Sequence, residues 1–458
     1  MPVSLGEYRR SFLMADRSQT LALIGAGPVG LCVAKALKAH NIEYEQLEAD
    51  RDVGGNWLHG VYPTAHIISS RKTTEYPDYP MPVYYPDFPS AGQMLEYLRD
   101  YAQHFELRER IQFNTKVLMA LPLPDGRWKV DIFGGESRLY KGLIVCNGHH
   151  WDKKFPSYAG IFTGEILHSK DYKSPGQLKG KRVLVIGGGN SACDVASEAA
   201  RVAESCSLSV RRGYWFLPKT ILGIPSAELI KPWAPVWAQR LFLRLALRLI
   251  LGRYEDYGLP GPDHKIFEAH PTINSELLHY IRHGRIRPKP DVARYDGDTV
   301  HFTDGTSEEF DLIVCGTGFH VSFPFLPEGM VQTRGGIADL YGGMFVPDCK
   351  NLYIVGTAQL RYGFGPVVTP GADLLAEMIL LQDHMELPIG LVLKESGVKL
   401  PTTHLVDPHA AIRGIHRAKR MLPLLAWKEK RLRKRFARPP LRAFDPLSIR
   451  VMRDMEVF

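Results

Sequence analysis

Two glycine-rich runs contain the residue types that let a backbone close around a pyrophosphate: residues 25–30 (GAGPVG) and 187–192 (GGGNSA). Each run follows an apolar stretch and opens a segment with helical spacing, which is the setting in which such a run binds a dinucleotide. Glycine permits the tight turn and the close approach of the backbone, and the start of the helix attracts the anion. The residues expected to bind the two nucleotides are Gly25, Ala26, Gly27, Pro28, Val29 and Gly30 in the first run, and Gly187, Gly189, Asn190, Ser191, Ala192 and Asp194 in and after the second.

The residues at the end of the next strand predict which nucleotide each run holds. Residues 42–47 read as a strand, and Glu48 follows it, 23 positions after the first glycine of the run. A carboxylate there accepts the ribose hydroxyls of an adenosine and repels a 2′-phosphate. After the second run, a strand at 207–210 ends at Arg211 and Arg212, whose guanidinium groups suit the 2′-phosphate of NADP. The alternative for the two arginines is a solvated surface pair.

Between the two runs, residues 162–172 (FTGEILHSKDY) resemble the identifying motif of the flavin-containing monooxygenases. The residues that carry this motif are Phe162, Gly164, His168 and Tyr172. Further matches to the family are residues 54–57 (GGNW), 86–89 (PDFP), 144–150 (IVCNGHH) and 315–319 (CGTGF). The similarity extends from about residue 21 to about residue 379, and its motifs occur in the family's order.

The resemblance implies an α/β fold with two Rossmann-like dinucleotide-binding domains, the second inserted in the first. A chain of 458 residues agrees, because it is too long for one core. The expected divisions are an N-terminal tail (1–19), a discontinuous FAD-binding domain (20–160 and 306–400), an NADP-binding domain (161–305) with an insertion (213–275), and a basic C-terminal extension (401–458). A strand at 311–314 is expected to open the second FAD segment, after a hairpin that begins at 299–304.

The family's cofactors are FAD, NADPH and O₂, so the resemblance implies a monooxygenase similar to N,N-dimethylaniline monooxygenase. In such an enzyme a flavin C4a-hydroperoxide passes one oxygen atom to a soft nitrogen or sulfur centre of a small lipophilic substrate. Two alternatives stay open. One is Baeyer–Villiger oxygenation of ketones, although those enzymes usually have Trp where this chain has Tyr172. The other is a weakly active flavoprotein that binds nucleotides.

The resemblance also assigns roles to residues near the flavin. Residues 68–72 (ISSRK) are similar to the family's T-N-x-x-K segment, so Ser69 stands where the family has an asparagine near the flavin and nicotinamide. A hydroxyl lacks the fixed geometry of an amide, which makes this departure a doubt about the usual arrangement. Ser69 is the candidate catalytic residue, with an ordinary loop serine as the alternative. Asn56 and Trp57 are expected to position the flavin.

Four further polar residues are expected to act on structure rather than on chemistry. His168 and Tyr172 can brace the junction between the domains through buried hydrogen bonds. Asn190 and Ser191 are expected to cap the second nucleotide helix and to bind the pyrophosphate.

Composition narrows the class of protein. The six cysteines include no C-x-x-C pair, which speaks against a disulfide reductase and against a metal site. His149 and His150 stand in tandem without a second ligand cluster, so no metal is expected. Residues 1–19 lack a sustained apolar core and are not a secretory signal, which predicts a cytoplasmic protein.

Two segments indicate contact with a membrane surface. Residues 233–251 are almost wholly apolar apart from Gln239 and three arginines spaced four apart, which excludes a spanning helix and favours an interfacial one. The alternatives are a cover over the active-site entrance and a homodimer contact. Residues 411–458 contain 14 basic and four acidic residues in a chain of net charge +8, with the densest run within 427–438. This run could bind an anionic leaflet, remain solvated or pack on the neighbouring domain; no nucleic-acid module accompanies it.

Overall fold

The structure is a computed structural model and describes residues 15–231 and 233–436. In chain order its strands are β1 Ala15–Ile24, β2 Tyr44–Leu47, β3 Ile111–Gln112, β4 Val117–Pro122, β5 Trp128–Ile132, β6 Ser137–Val145, β7 Asp152–Lys153, β8 Glu165–His168, β9 Arg182–Ile186, β10 Ser205–Ser209, β11 Phe216–Leu217, β12 Thr220–Ile221, β13 Ile224–Pro225, β14 Thr272–Ile273, β15 Arg287–Lys289, β16 Val292–Asp296, β17 Thr299–Phe302, β18 Ser307–Glu309, β19 Leu312–Cys315, β20 Phe319–His320, β21 Thr333–Arg334, β22 Ile337–Ala338, β23 Leu352–Ile354, β24 Gln359–Leu360 and β25 Leu405–Val406. The α-helices are α1 Pro28–Ala39, α2 Arg71–Thr74, α3 Ala91–His104, α4 Asn190–Val202, α5 Val236–Leu251, α6 Leu277–Arg282, α7 Gly365–Asp383, α8 Ile389–Glu395 and α9 Pro408–Arg433.

The first glycine-rich run joins β1 to α1 in a sheet with the order β3-β2-β1-β6-β5-β4, and β23 also pairs with β6. The pairs that β1 forms with β2 and β6 are parallel, and β4, β5 and β6 form an antiparallel meander. Alternate residues of β1 lie in different apolar clusters, Leu21 and Leu23 in one and Ala22 and Ile24 in the other. Both faces of the strand are therefore covered, as expected for a parallel sheet of the doubly wound type.

The second glycine-rich run joins β9 to α4 in a separate sheet with the order β15-β10-β9-β19-β8, in which every pair is parallel. Val183 and Val185 pack with α4, whereas Leu184 and Ile186 pack against the β16–β18 sheet. The α/β fold with two dinucleotide-binding units is confirmed.

Strand β19 corrects one expected boundary. The sequence predicts that residues 311–314 open the second segment of the FAD domain. In the structure Leu312 pairs with Val183 and with Glu165, so β19 is an inner strand of the NADP sheet. Strand β19 fills the place between β9 and β8 in the second sheet, and the chain returns to the FAD domain only after Cys315. The predicted hairpin before it is present, with β17 and β18 antiparallel.

Both ends of the described chain are more ordered than the sequence predicts. Residues 15–19, expected in a tail, belong to β1, where Ala15 pairs with Arg138. Within the C-terminal extension α9 packs on α7, and Glu429, which is buried, accepts hydrogen bonds from the backbone amides of Glu386 and Leu387 and from Arg433. The basic run is thus largely a docked helix, and its residues 437 and 438 lie outside the described part of the chain.

The insertion 213–275 builds a small apolar cluster of its own. Leu243 and Leu247 of α5 pack there against Ile266, Phe267 and Ile273. None of the helices within residues 15–231 and 233–436 is both long and apolar enough to cross a bilayer.

Candidate functional site

The first glycine-rich run forms the turn between β1 and the start of α1, where Gly27 is the N-cap and Pro28 the first helical residue. A methyl group at Gly30 would lie 2.1 Å from the carbonyl oxygen of Gly25, so helix and turn are in direct contact. A methyl group at Gly27 would meet nothing closer than Gly55 Cα at 3.7 Å. The space in front of Gly27 and the backbone N–H groups of Val29 and Gly30, in the first turn of α1, are what a pyrophosphate requires.

Glu48 lies directly after β2, beside this turn. Its Oε2 accepts a hydrogen bond from the backbone amide of Ala26 at 2.5 Å, and its Oε1 accepts one from the amide of Asp50 at 2.9 Å. Burial raises the pKa of Glu48, and these two amide hydrogen bonds oppose the rise. The carboxylate is therefore held beside the turn at the end of β2, and its contact with an adenosine ribose stays a prediction.

The second run has the same plan at the start of α4. Gly187 has a φ of +130°, and a methyl group there would lie 2.4 Å from the carbonyl oxygen of Gly316. At Gly189, the N-cap of α4, an added methyl group meets no atom within 4 Å. Ala192 is buried beneath the turn. The two runs therefore share an open N-cap glycine between tightly packed neighbours, and both fit a bound dinucleotide.

The predicted capping role of Asn190 is wrong. Asn190 is the first residue inside α4, and its Oδ1 accepts a hydrogen bond from the backbone amide of Ile273 at 2.7 Å. Thr272 donates its hydroxyl to the carbonyl oxygen of Gly188 at 2.6 Å. These two hydrogen bonds fasten β14 of the insertion to the turn of the second glycine-rich run. The first of them occupies the Asn190 side-chain amide, which the sequence assigns to the helix cap. Ser191 lies beside the phenol of Tyr62 and caps nothing.

Arg211 and Arg212 follow β10 and are both exposed. The Arg212 guanidinium lies 5.5 Å from the centre of the Tyr214 ring. Among the described residues, no carboxylate lies within 4.0 Å of either guanidinium, whereas five of the ten other arginines of this domain form ion pairs. Two unpaired cations at the end of the second strand suit the 2′-phosphate of NADP.

Asn56 and Trp57 begin a π-helical turn, Asn56–Gly60, that faces the second domain. Asn56 donates to the carbonyl oxygen of His150 at 3.0 Å and accepts from Lys170 at 3.3 Å. Part of the His150 surface is exposed, but the surrounding protein, with His149 as a smaller cause, lowers the pKa of this ring and favours its neutral form. The sequence did not assign Lys170 or His150 to this contact between the domains.

Ser69 is buried, and its hydroxyl lies 2.6 Å from the hydroxyl of Thr74 across the short helix α2. The backbone of Gly363 packs directly on α2, since a methyl group there would overlap the carbonyl oxygen of Thr73. Ser69 is thus held inside the protein by its own segment, and its catalytic role stays a prediction.

The motif of residues 162–172 lies on and around β8, at the junction of the domains. Phe162 packs on Tyr295, and a methyl group at Gly164 would lie 2.7 Å from the carbonyl oxygen of Asp311. His168 is fully buried; its Nδ1 accepts from the amide of Lys170 at 3.1 Å, so its Nε2 donates to the carbonyl oxygen of Gly318 at 3.0 Å. Burial lowers the pKa of His168, which keeps the ring neutral in this brace on the linker between the domains.

Tyr172 is buried as well and donates its hydroxyl to Glu198 of α4. Asp194, one turn earlier on α4, accepts from Tyr62 at 2.8 Å and from Asn274 at 2.8 Å. Both oxygens of Asp194 therefore accept hydrogen bonds from protein groups, and its contact with the nucleotide stays a prediction. The i, i+4 spacing of Asp194 and Glu198, which places both acids on one side of α4, was the available signal for this cluster.

Three described side chains, His40, Asp373 and Glu377, could converge on a cation. Lys419 forms ion pairs with both carboxylates, and its ammonium supplies the positive charge at that place. The tandem histidines do not join them, because His149 contacts the carbonyl oxygen of Gly356 at 2.8 Å.

The geometry defines a class of protein: one mixed and one parallel sheet, each with a glycine turn at a helix start, joined by a buried histidine and tyrosine. A family model described as flavin-binding monooxygenase-like matches residues 18–376. Flavin-containing monooxygenase 5 of Oryctolagus cuniculus is 33% identical over 373 residues, which are 74% of this chain and 69% of the relative. Dimethylaniline monooxygenase [N-oxide-forming] 2 of the same species is 33% identical over 368 residues, 73% and 68% of the two chains.

Among solved structures, cyclohexanone monooxygenase in its closed form superposes with a TM-score of 0.69 at 16% identity, over 91% of this chain and 99% of the other. A flavin-containing monooxygenase from Stenotrophomonas maltophilia gives a TM-score of 0.62 at 22% identity, over 80% and 99%. The chain belongs to the flavin-containing monooxygenase family. It is an NADPH-dependent flavin monooxygenase with FAD and NADPH as cofactors and O₂ as the co-substrate.

Replacement of Arg211 and Arg212 by alanine tests the 2′-phosphate assignment. Losing charged hydrogen bonds worth about 1.5–3 kcal/mol should raise the KM for NADPH roughly 10- to 100-fold. The KM for NADH should stay within about twofold, because NADH has no phosphate there. Arg294→Ala, which removes an exposed arginine paired with Asp296, is the control and should change neither KM. Equal losses for both nucleotides would contradict the assignment.

Gly27→Ala tests the first turn. Its methyl group meets only Gly55 at an ordinary contact distance, so the protein should fold with an unchanged circular-dichroism spectrum while FAD is excluded. The measurement is flavin absorbance per mole of purified protein, with Gly414→Ala in α9, where a methyl group is also unobstructed, as the control. A fully flavin-loaded Gly27→Ala protein would show that the turn does not hold the pyrophosphate.

Proposed function

We propose that this monooxygenase oxygenates a soft nitrogen or sulfur centre of a small lipophilic substrate. The observation that carries the proposal is Tyr172, at the end of the motif where ketone-oxygenating enzymes usually have Trp. Its phenol is buried and donates to Glu198, a contact that an indole cannot reproduce with the same reach. The names of the curated relatives, one of them N-oxide-forming, support the same substrate class.

When bound, FAD and NADPH supply the hydride transfer and the activation of oxygen. The residues of the chain bind and orient them: Glu48 lies at the ribose position of the first turn, and Arg211 and Arg212 lie at the phosphate position of the second. Lys170 donates a hydrogen bond to Asn56 across the two domains at 3.3 Å. Ser69 supplies a hydroxyl rather than the family's amide, and that hydroxyl already contacts Thr74.

A product screen by mass spectrometry tests the substrate class. Purified protein with NADPH and air should convert tertiary amines to N-oxides and sulfides to sulfoxides, and NADH should replace NADPH poorly. Cyclic ketones are screened beside the amines and sulfides as the third group of candidate substrates. Lactone formation without any N- or S-oxide would establish ketone oxygenation instead. Flavin that NADPH does not bleach under nitrogen would favour the nucleotide-binding flavoprotein.

We further propose that α5 lies on an anionic membrane surface. The helix face opposite Leu243 and Leu247 is apolar and uncovered, with Leu245 60% and Leu249 87% exposed. Arg244 and Arg248 flank this face, and α5 contains no acidic residue. An apolar stripe bordered by arginines is the pattern of an interfacial helix, and its charge complements anionic headgroups.

The start of α9 lies next to the start of α5. A cavity of about 340 Å³ is lined by both helix starts, including Trp233 and Gln239 on one side and His409 and Arg413 on the other. Part of the basic run farther along α9 is neutralised, since Arg433 pairs with Glu386 and Arg435 with Glu395. The α5 face therefore provides the main support for a membrane partner.

The triple variant Leu241→Ser, Leu245→Ser and Leu249→Ser tests this surface. Burial of one such side chain is worth about 1.5–3 kcal/mol, so co-sedimentation with vesicles of phosphatidylcholine and phosphatidylglycerol should fall at least tenfold. The control replaces exposed apolar residues of other elements, Val83, Phe133 and Ile161, with serine and should bind as the parent does. Unchanged vesicle binding would contradict the proposal. A dimer that becomes a monomer only in the triple variant, without vesicles, would assign the face to a second copy of the chain.

A further inference from the structure

Helix α4 presents two carboxylates to the FAD domain, one turn apart: Glu198 is buried and Asp194 is half-buried. Asp194 Oδ2 accepts the phenol of Tyr62 at 2.8 Å. Glu198 accepts the hydroxyl of Thr64 through one oxygen and the phenol of Tyr172 through the other. The rings of Tyr62 and Tyr172 pack on each other with their centres 5.6 Å apart. Two domains thus meet through hydrogen bonds from neutral donors to acidic side chains.

These contacts are stronger than ordinary surface bonds because of where they lie. Tyr62, Tyr172 and Glu198 are all buried, and among the described residues no lysine or arginine nitrogen lies within 4.0 Å of either carboxylate. Burial raises the pKa of Asp194, and His66 and Lys219 are among the groups that oppose the rise. A buried carboxylate depends on every hydrogen bond that it accepts, and bonds to charged acceptors are about twice as strong as neutral ones. Each hydroxyl therefore favours donation to its carboxylate, and these hydrogen bonds hold the two domains in one relative position.

The two ends of this connection belong to the two cofactor sites. On one side, Tyr62 and Thr64 follow closely after the π-helical turn Asn56–Gly60, which carries the flavin-positioning residues. On the other side, Asp194 and Glu198 lie one and two turns after Gly189, where the NADP pyrophosphate is expected. A segment of few residues consequently links the flavin side to the helix that holds the nicotinamide nucleotide.

We propose that Tyr62, Thr64, Asp194 and Glu198 form a latch that sets the position of the nicotinamide relative to the flavin. The four are positioning residues, since none is placed in contact with a reacting atom. Hydride transfer requires the reacting atoms to approach within about 3–3.5 Å, and a misplacement of about 1 Å can cost about 100-fold in rate. Loosening the latch should therefore slow flavin reduction more than it weakens nucleotide binding.

The test uses the full-length, flavin-loaded enzyme and the double variant Tyr62→Phe and Thr64→Val, which keeps the shapes and removes both cross-domain donors. Stopped-flow reduction by saturating NADPH should slow roughly 10- to 100-fold, whereas the Kd for NADP⁺, measured by equilibrium titration, should change less than about threefold. Hydrogen–deuterium exchange without nucleotide should become faster in residues 60–66 and in α4. Thr64→Ser, which retains the hydroxyl, should behave as the parent enzyme.

The matched control is Tyr254→Phe. Tyr254 is 7% exposed, as is Tyr62, and its phenol donates to the carbonyl oxygen of Phe216 at 3.0 Å within the second domain. This variant should lose thermal stability as Tyr62→Phe does and yet reduce flavin within about twofold of the parent rate. The latch is refuted if the double variant reduces flavin at the parent rate, if both proteins slow equally, or if weaker NADP⁺ binding accounts for the whole loss. Failure of the proposed substrate class would leave the reduction rate untouched, so the two outcomes are distinguishable.

Discussion

Both halves of this molecule depend on one constraint: the backbone at the start of a helix must be accessible and free of side chains. A pyrophosphate can approach only where side chains are missing, yet the helix behind it must pack tightly to aim its N–H groups. The structure meets these opposed demands twice: Gly27 and Gly189 leave the front open, while Gly30 and Gly187 permit backbone contacts that any side chain would prevent. The sheets, crossovers and covering helices serve to hold these two turns.

A second requirement is that the two turns face each other, although they stand on separate sheets. The family motif serves this requirement through structure. His168 braces the linker at Gly318, and Tyr172 reaches Glu198 on the nucleotide helix. The insertion is tied to the same helix, because Ile273 binds Asn190 and Asn274 binds Asp194. The junction therefore joins three segments of the chain at one buried cluster.

On the outer surface, helices α5 and α9 differ in how far the rest of the protein covers them. Helix α5 buries only one narrow side and leaves its leucine-rich side uncovered, which is costly in water unless another surface covers it. The long helix α9 is the opposite case, since its basic residues partly pair with acids of α7, α8 and the connection between these two helices. The apolar run and the basic run both indicated membrane contact from the sequence, yet the first is exposed on α5 and the second is partly paired with acidic residues.

The sequence by itself determined the two nucleotide turns, the strands that precede them and the family, because these depend on residue types at short spacing. Glu48, Arg211 and the 162–172 motif could be found for the same reason. It could not place β19 in the second sheet, nor show that Asn190 binds Ile273 instead of capping its helix. It likewise could not show that Glu198 binds Tyr172 and Thr64, or that α9 docks on α7. Each of these depends on contacts between residues far apart in the chain, and such contacts exist only after both sheets have formed and packed.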